Sequence, residues 1–349
     1  MLLAACSGPM LPFATDVTPR VTVPLAKAGI TDARGRFREI LCAVLARTGD
    51  RLPDARPCTR ALWRVGAEPA GTEAPVPAGP VRPPLRLVLV TGYGAQCFAG
   101  LVRLFEEAAR HVRRLDVAVV RAPVSAFGSV AHNAAIVART LEAVPADGRR
   151  LVLLGYSKGA ADAMAALVRY PRAARRVDAF VTLAGAVGGS PLAEVVPGWI
   201  ETLIDLFPGT RCDPGDDGAL ADLRPRARQA ALARWPDPPP VPLVFSLAAF
   251  VPRAETSRLL RPFHARLAAA DPRNDGQLLW TDQLVPGGTL LAYLRGDHLA
   301  VAVPVARRLP WLRVQVDRNA YPRAALLEAI LRFTAERLRA RDGTRGGPR

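Results

Sequence analysis

Lysine is almost missing from this sequence. Among its 349 residues only Lys27 and Lys158 are lysine, so nearly all of a formal charge of +16 rests on arginine. The arginines are spread along the whole chain in company with abundant Ala and Pro, which reads as the imprint of a GC-rich genome rather than as one basic binding face. No zinc-finger, RNA-recognition or helix-turn-helix signature goes with the charge, so nucleic acid is not an expected partner. Attraction to anionic lipid or cell-wall surfaces is the weaker consequence left open. A G-x-x-x-x-G-K-[ST] loop is absent, which excludes a P-loop nucleotide binder. So is any apolar run of about 18 residues or more, which excludes a membrane-spanning helix in this sequence. Histidine is scarce, and a general base must be sought among His111, His132, His264 and His298. The rest is ordinary: 50% hydrophobic and 22% charged residues, in a chain long enough for one large α/β domain or two smaller ones.

Five cysteines are present, and the first stands apart. "MLLAACSG" holds Leu3-Ala4-Ala5-Cys6, which resembles the lipobox of bacterial lipoproteins, where cleavage precedes a cysteine that becomes lipid-modified. Such a signal ordinarily has a basic start and roughly 7–15 apolar residues, whereas five residues precede Cys6. The expectation is a signal shortened by a start codon upstream of Met1, with residues 1–30 as a tail that tethers the protein to a membrane through Cys6; the alternative is a chance match. Cys42, Cys58, Cys97 and Cys212 remain, an even set with three pairings that the sequence does not choose between. Cys42 closes a helical pattern and Cys58 follows a Pro-rich turn, which suits a local Cys42–Cys58 bridge and leaves Cys97–Cys212 to tie two distant loops. Disulfides fit an exported, cell-envelope protein; four reduced cysteines in a cytoplasmic protein are the alternative.

The hydrophobic period changes along the chain. Residues 31–66 are expected to be helical, with Phe37, Ile40, Leu41, Val44 and Leu45 on one side of "DARGRFREILCAVLA". Residues 67–84 are a Pro/Gly-rich linker. From Leu85 strands and helices alternate: "LRLVLVTGYG" is a strand, "AGLVRLFEEAARHV" a helix, "LDVAVVRAP" a strand, "SVAHNAAIVARTLEAV" a helix. "LVLLGY", "RVDAFVTLAGA", "VPLVFSLAAFV" and "GTLLAYLRG" are further strands, and "YPRAALLEAILRFTAERLRA" is a long closing helix. The alternation predicts an α/β fold, a mostly parallel sheet with helices on both faces, over residues 85–339. It lapses at about 187–240, where "PGWIETLIDLFPG" offers an amphipathic helix with Trp199, Ile200, Leu203, Ile204 and Phe207. That insertion is a cap over the site or a peripheral helix. Residues 340–349 read as a disordered tail.

Chemistry concentrates at "LVLLGYSKGAADAMAAL" (151–167). A buried-strand run meets a helix-forming run through Gly155-Tyr156-Ser157-Lys158-Gly159, which fits G-x-S-x-G in a strand-to-helix context. A turn too tight for Cβ atoms would lift Ser157 out of the sheet as a nucleophile. Serine needs a base, and in this arrangement the acid and the histidine follow the serine in the chain. His298, just past the last strand in "LRGDHLAVAVP", meets that order; His111 and His132 precede Ser157, and His264 sits in a helical pattern. The acid is Asp275, in an Asn-Asp-Gly turn, with Asp282 as the alternative. Asp297 adjoins His298 and would point away from its ring. Two backbone donors must hold an oxyanion: the N–H of Lys158, after the nucleophile, and that of Tyr93, between Gly92 and Gly94. The Lys158 side chain is expected to face a neighbouring loop or a polar substrate.

Taken together, "TGYG", "GYSKG", "NDG" and "GDHLAVA" resemble the α/β-hydrolase superfamily from about Leu85 to Arg339, with the first 84 residues outside the likeness. Thr91 stands where the family often has His, and Lys158 where Gln, Met or His is usual. The resemblance implies a bacterial lipase- or esterase-like serine hydrolase that cleaves hydrophobic or lipid-like carboxylic esters through Ser157, His298 and Asp275, without metal or organic cofactor. The same triad would serve an acyltransferase, and a non-catalytic envelope lipoprotein on this scaffold is the contrasting alternative. The oligomeric state is not legible.

Overall fold

Leu87 and Leu89 turn to one face of their strand and Val88 and Val90 to the other, and all four are buried. A strand covered on both sides must have this pattern, since successive side chains alternate faces. The structure, a computed structural model, describes residues 25–195 and 209–345. Its strands are β1 (Thr31–Asp32), β2 (Leu85–Val90), β3 (Val117–Arg121), β4 (Arg150–Tyr156), β5 (Ala179–Leu183), β6 (Val244–Ala249) and β7 (Thr289–Leu294). They form one seven-stranded sheet in the order β1-β7-β6-β5-β4-β2-β3, and every pairing is parallel.

Helices cover both faces. On one lie α1 (Arg34–Thr48), α2 (Glu106–Arg113) and α5 (Arg323–Arg345), whose Phe37, Val112 and Ile330 join Leu87, Leu89 and Leu154 in one core. On the other lie α3 (Val130–Ala143) and α4 (Lys158–Arg169), whose Val137, Leu141 and Leu167 pack with Val88, Leu153 and Phe180. Ser129 caps α3 by accepting from His132 N at 3.0 Å, the usual role of serine at that position. Among the described residues no helix is long and apolar enough to cross a membrane.

Three boundaries differ from the sequence expectation. The helix anticipated from Ala99 begins only at Glu106, because Phe105 takes a left-handed φ of 55° and its N–H goes to Ala302 O at 3.0 Å. The segment before β2 is built into the fold. β1 adds to the sheet edge beside β7, Leu62 bridges Leu294, and the Pro/Gly-rich stretch is strapped down by arginines. Arg36 donates to Ala74 O at 2.7 Å, Arg38 pairs with Glu68 at 2.6 Å and Arg332 donates to Gly79 O at 2.8 Å. At the other end, the tail expected from residue 340 continues as helix to Arg345, held by Arg341 to Pro242 O at 3.2 Å and Arg150 to Asp342 at 3.3 Å.

Cys42–Cys58 and Cys97–Cys212 are both disulfides. In the insertion after β5 a 3-10 turn spans Pro191–Glu194, and short helices span Ala219–Leu223 and Pro225–Leu232. Trp199, Ile200, Leu203, Ile204 and Phe207 lie outside the described residues, as do Cys6 and the lipobox-like stretch.

Candidate active site

β4 lies between β2 and β5, and at its carboxyl end Ser157 adopts φ 54° and ψ −129° before α4 begins at Lys158. A non-glycine residue held at positive φ is strained, and such strain is found where the fold over-determines a turn. Here the flanking glycines make the turn feasible. A Cβ on Gly155 would lie 2.5 Å from Ala160 Cα, and one on Gly159 would lie 2.3 Å from Val90 O. The elbow is further pinned by Ser157 N to Ala184 O at 3.1 Å and Ala186 N to Ser157 O at 2.9 Å.

Two loops at the same edge of the sheet bring partners to the serine. His298, after β7, places Nε2 at 2.9 Å from Ser157 Oγ and Nδ1 at 2.7 Å from Asp275 Oδ2. Asp275 comes from the loop between β6 and β7. Its Oδ1 accepts from Gln277 N at 2.8 Å and Leu278 N at 2.7 Å, and its backbone O from His298 N at 2.9 Å. Gln283 Nε2 reaches its Oδ2 at 3.5 Å. Tyr156 donates its O–H to His298 O at 2.7 Å. Burial, aided by the charges of Asp275 and Asp297, pushes the Tyr156 phenol well above its ordinary value, so it stays a neutral donor. Asp275 and His298 are buried while Ser157 is half-buried, so the solvent-facing member of the three is the serine. With Nδ1–H directed at a carboxylate, the imidazole presents its Nε2 lone pair to the hydroxyl.

The other sequence candidates lie elsewhere. The Asp282 side chain stands against Gly188, whose N–H donates to Asp282 O at 2.8 Å. Asp297 turns away to accept from Ser257 N at 2.9 Å and Ala300 N at 2.8 Å, which anchors the histidine loop. His111 pairs with Glu328 at 2.6 Å, His132 meets Ser125 Oγ at 3.1 Å and His264 meets Val251 O at 2.8 Å. Lys158 N opens α4, and the Gly92–Tyr93 loop abuts Ser157 so closely that a Cβ on Gly92 would lie 2.7 Å from Ser157 Cβ.

The Lys158 side chain corrects an expectation. It faces neither a neighbouring loop nor a substrate but folds back along its own helix, buried, with Nζ at 2.7 Å from Asp162 Oδ1. The spacing of four residues was a legible signal, because side chains that far apart share a helix face. Asn133, whose Nδ2 donates to Asp162 Oδ2 at 3.0 Å, left no such trace in the sequence. Nor did Tyr156 and Gln283, whose partners are 142 and 8 residues away.

A parallel sheet with a serine on the turn after a central strand, and acid and histidine on later loops of one edge, defines the α/β hydrolases. A solved carboxyl esterase of metagenomic origin is similar along nearly its whole length, at 41% identity over 92% of this chain and 97% of that one, with a TM-score of 0.85. The mature lipase BlEst2 of Bacillus licheniformis is similar in fold, at 21% identity over 64% of this chain and 89% of that one, with a TM-score of 0.50. No protein-family model matches the sequence, and no curated protein does. The chain belongs to the α/β-hydrolase superfamily, together with that metagenomic carboxyl esterase. A match over 92% of the chain also takes in most of the segment before Leu85.

Proposed function

We propose that this protein hydrolyses carboxylic esters through an acyl-enzyme on Ser157. The observation that carries the reading is the single imidazole of His298 bridging Ser157 Oγ and Asp275 Oδ2. As Ser157 Oγ attacks the ester carbonyl, His298 Nε2 takes its proton, and the Asp275 carboxylate stabilises the imidazolium. The tetrahedral oxyanion is held by the Lys158 and Tyr93 backbone N–H groups. Collapse expels the alcohol, which leaves with the proton from His298. Water, deprotonated in turn by His298, then attacks the acyl-enzyme and releases the carboxylic acid with Ser157 restored. The 41% identity to a carboxyl esterase supports the same reaction class.

Hydrophobic acyl groups are part of the same proposal. Its support is the apolar cluster beside the Tyr93 loop, where the Tyr93 and Phe127 rings are 5.2 Å apart and Phe98 and Ala126 join them. Export to an oxidising compartment is supported by the two disulfides. Anchoring through Cys6 rests on the lipobox-like sequence alone.

The test is fluorophosphonate labelling and turnover of p-nitrophenyl esters of rising chain length, on wild type, Ser157→Ala and His298→Ala. Labelling and turnover by wild type alone are expected, with the rate rising from acetate toward longer chains. A folded wild type that neither labels nor turns over any ester, with or without a detergent interface, would overturn the reading.

A further inference from the structure

The Lys158 ammonium is buried beside the nucleophile, and ester hydrolysis as described above makes no use of it. Its contacts lead away from the elbow in one connected line. Nζ donates to Asp162 Oδ1 at 2.7 Å, with both side chains 1% exposed. The second carboxylate oxygen accepts from Asn133 Nδ2, on α3, at 3.0 Å. Asn133 in turn grips the loop after β3 by both backbone groups of one residue: Ser125 N donates to its Oδ1 at 2.9 Å, and its Nδ2 donates to Ser125 O at 3.1 Å. The next residue, Ala126, accepts from Gly94 N at 3.0 Å, and Phe127 packs on the Tyr93 ring. The line therefore starts at the residue carrying one oxyanion donor and ends on the loop carrying the other. A side branch runs the same way, because Ser125 Oγ donates to Asp213 Oδ2 at 2.8 Å, next to Cys212, whose disulfide partner Cys97 closes the Tyr93 loop.

A buried ion pair is a poor way to gain stability, since apolar residues of similar volume often serve as well. Burial indeed pushes the Asp162 carboxyl up to about 6 despite the opposing pull of Lys158 and Asn133. What this ion pair supplies is direction: each oxygen of Asp162 is committed to one partner, Oδ1 to Lys158 on α4 and Oδ2 to Asn133 on α3. Leucines would fill the space and leave α4, α3 and the loop after β3 free to slide by tenths of an ångström. An oxyanion hole is sensitive to displacements of that size.

We propose that the Lys158 side chain is a positioning group for the oxyanion hole, which through Asp162 and Asn133 fixes the spacing between the Lys158 and Tyr93 N–H groups. The proposal rests on the ester-hydrolase reading.

Its test uses Lys158→Met, Asn133→Ala, the double variant of both, and Lys158→Met/Asp162→Asn, which avoids stranding a buried carboxylate. Asp162→Glu keeps every charge and lengthens one link, and is the mild variant should the others not fold. Three quantities are read on each: melting temperature, kcat and KM on a p-nitrophenyl ester, and inhibition by a trifluoromethyl ketone, whose adduct with Ser157 places an oxyanion in the hole. The expected result, well below each melting temperature, is a kcat lowered about 10- to 100-fold with KM nearly unchanged. The inhibition constant should rise by the same factor as kcat/KM falls. The Lys158→Met/Asn133→Ala double should be no worse than the poorer single variant, as for groups acting in series. Folded variants with wild-type kcat, a loss confined to melting temperature, or single losses that multiply in the double would each overturn the proposal. An inert wild type would instead overturn the hydrolase reading, and this inference with it.

Discussion

Gly92 has space for no side chain, since a Cβ there would lie 2.7 Å from Ser157 Cβ and 3.1 Å from its Oγ. Gly92→Ala is therefore expected to displace Ser157 or the Tyr93 amide and to lower kcat by about 10²-fold. KM should change little and the melting temperature should fall modestly, as an overpacked turn requires, and steady-state kinetics beside a thermal melt check both. At this scale the sequence was most readable where chemistry is local. Ser157 lies inside its own five-residue motif, and Asp275 inside an Asn-Asp-Gly turn whose carboxylate accepts its own backbone, Gln277 N and Leu278 N. The same turn favours Asp275 over Asp282 in the sequence, and the loop's path brings Asp275 to His298 Nδ1 at 2.7 Å. The Lys158 side chain departs from the sequence expectation for a related reason: a lysine at the first helical position turns back along its helix when a carboxylate one turn on, here Asp162, is itself held in place, here by Asn133 on the neighbouring α3.

Among elements, the loop after β2 is set by a distant partner. Cys97–Cys212 closes 115 residues of sequence, whereas Cys42–Cys58 closes 16. In the chain-entropy view the longer loop contributes about 4–5 kcal/mol and the shorter about 3. Replacing Cys97 and Cys212 together with Ser should lower the melting temperature more than replacing Cys42 and Cys58, and should alone reduce kcat, because only Cys97 sits on the Tyr93 loop. Melting curves and ester turnover of the two double variants test this ordering, and equal loss of kcat in both would contradict it. The same element shows where helix propensity failed. "AGLVRLF" is a good helical pattern, yet Cys97, the left-handed Phe105 and its bond to Ala302 O hold it in turns until Glu106. Strands β2 and β4 to β7 were legible because burial on both faces leaves long apolar runs, and the half-buried edge strand β3 by its run of Val and Ala. The two-residue β1 was not, since so short a pairing has no period of its own.

Across the whole molecule, the helix layer of α1, α2 and α5 meets at one carboxylate. Glu328, on α5 and 2% exposed, accepts from His111 on α2 at 2.6 Å, from Arg332 at 2.7 Å and from Arg47 on α1 at 2.9 Å. Burial alone would raise its pKa, but the hydrogen bonds from His111 and Arg332 prevail and lower it from 4.5 to about 2. A carboxyl held below its unfolded value contributes stability that is fully present above pH 4.5 and is lost as pH falls through about 2. Glu328→Gln is expected to lower the melting temperature at neutral pH and to flatten its decline across that acid window, as melts in a pH series would show; an unchanged acid slope would refute it. By itself the sequence determined the parallel α/β class and pointed to the turn at Ser157, to His298 and to Asp275 as the proposed triad, because these depend on residue period and on turns a few residues long. Only the tertiary structure decided that residues 25–84 complete the sheet and its helix layer, and that the Lys158 charge is tied through Asp162 to Asn133 on α3. Both depend on contacts between segments far apart in the chain, fixed by the packing of the whole.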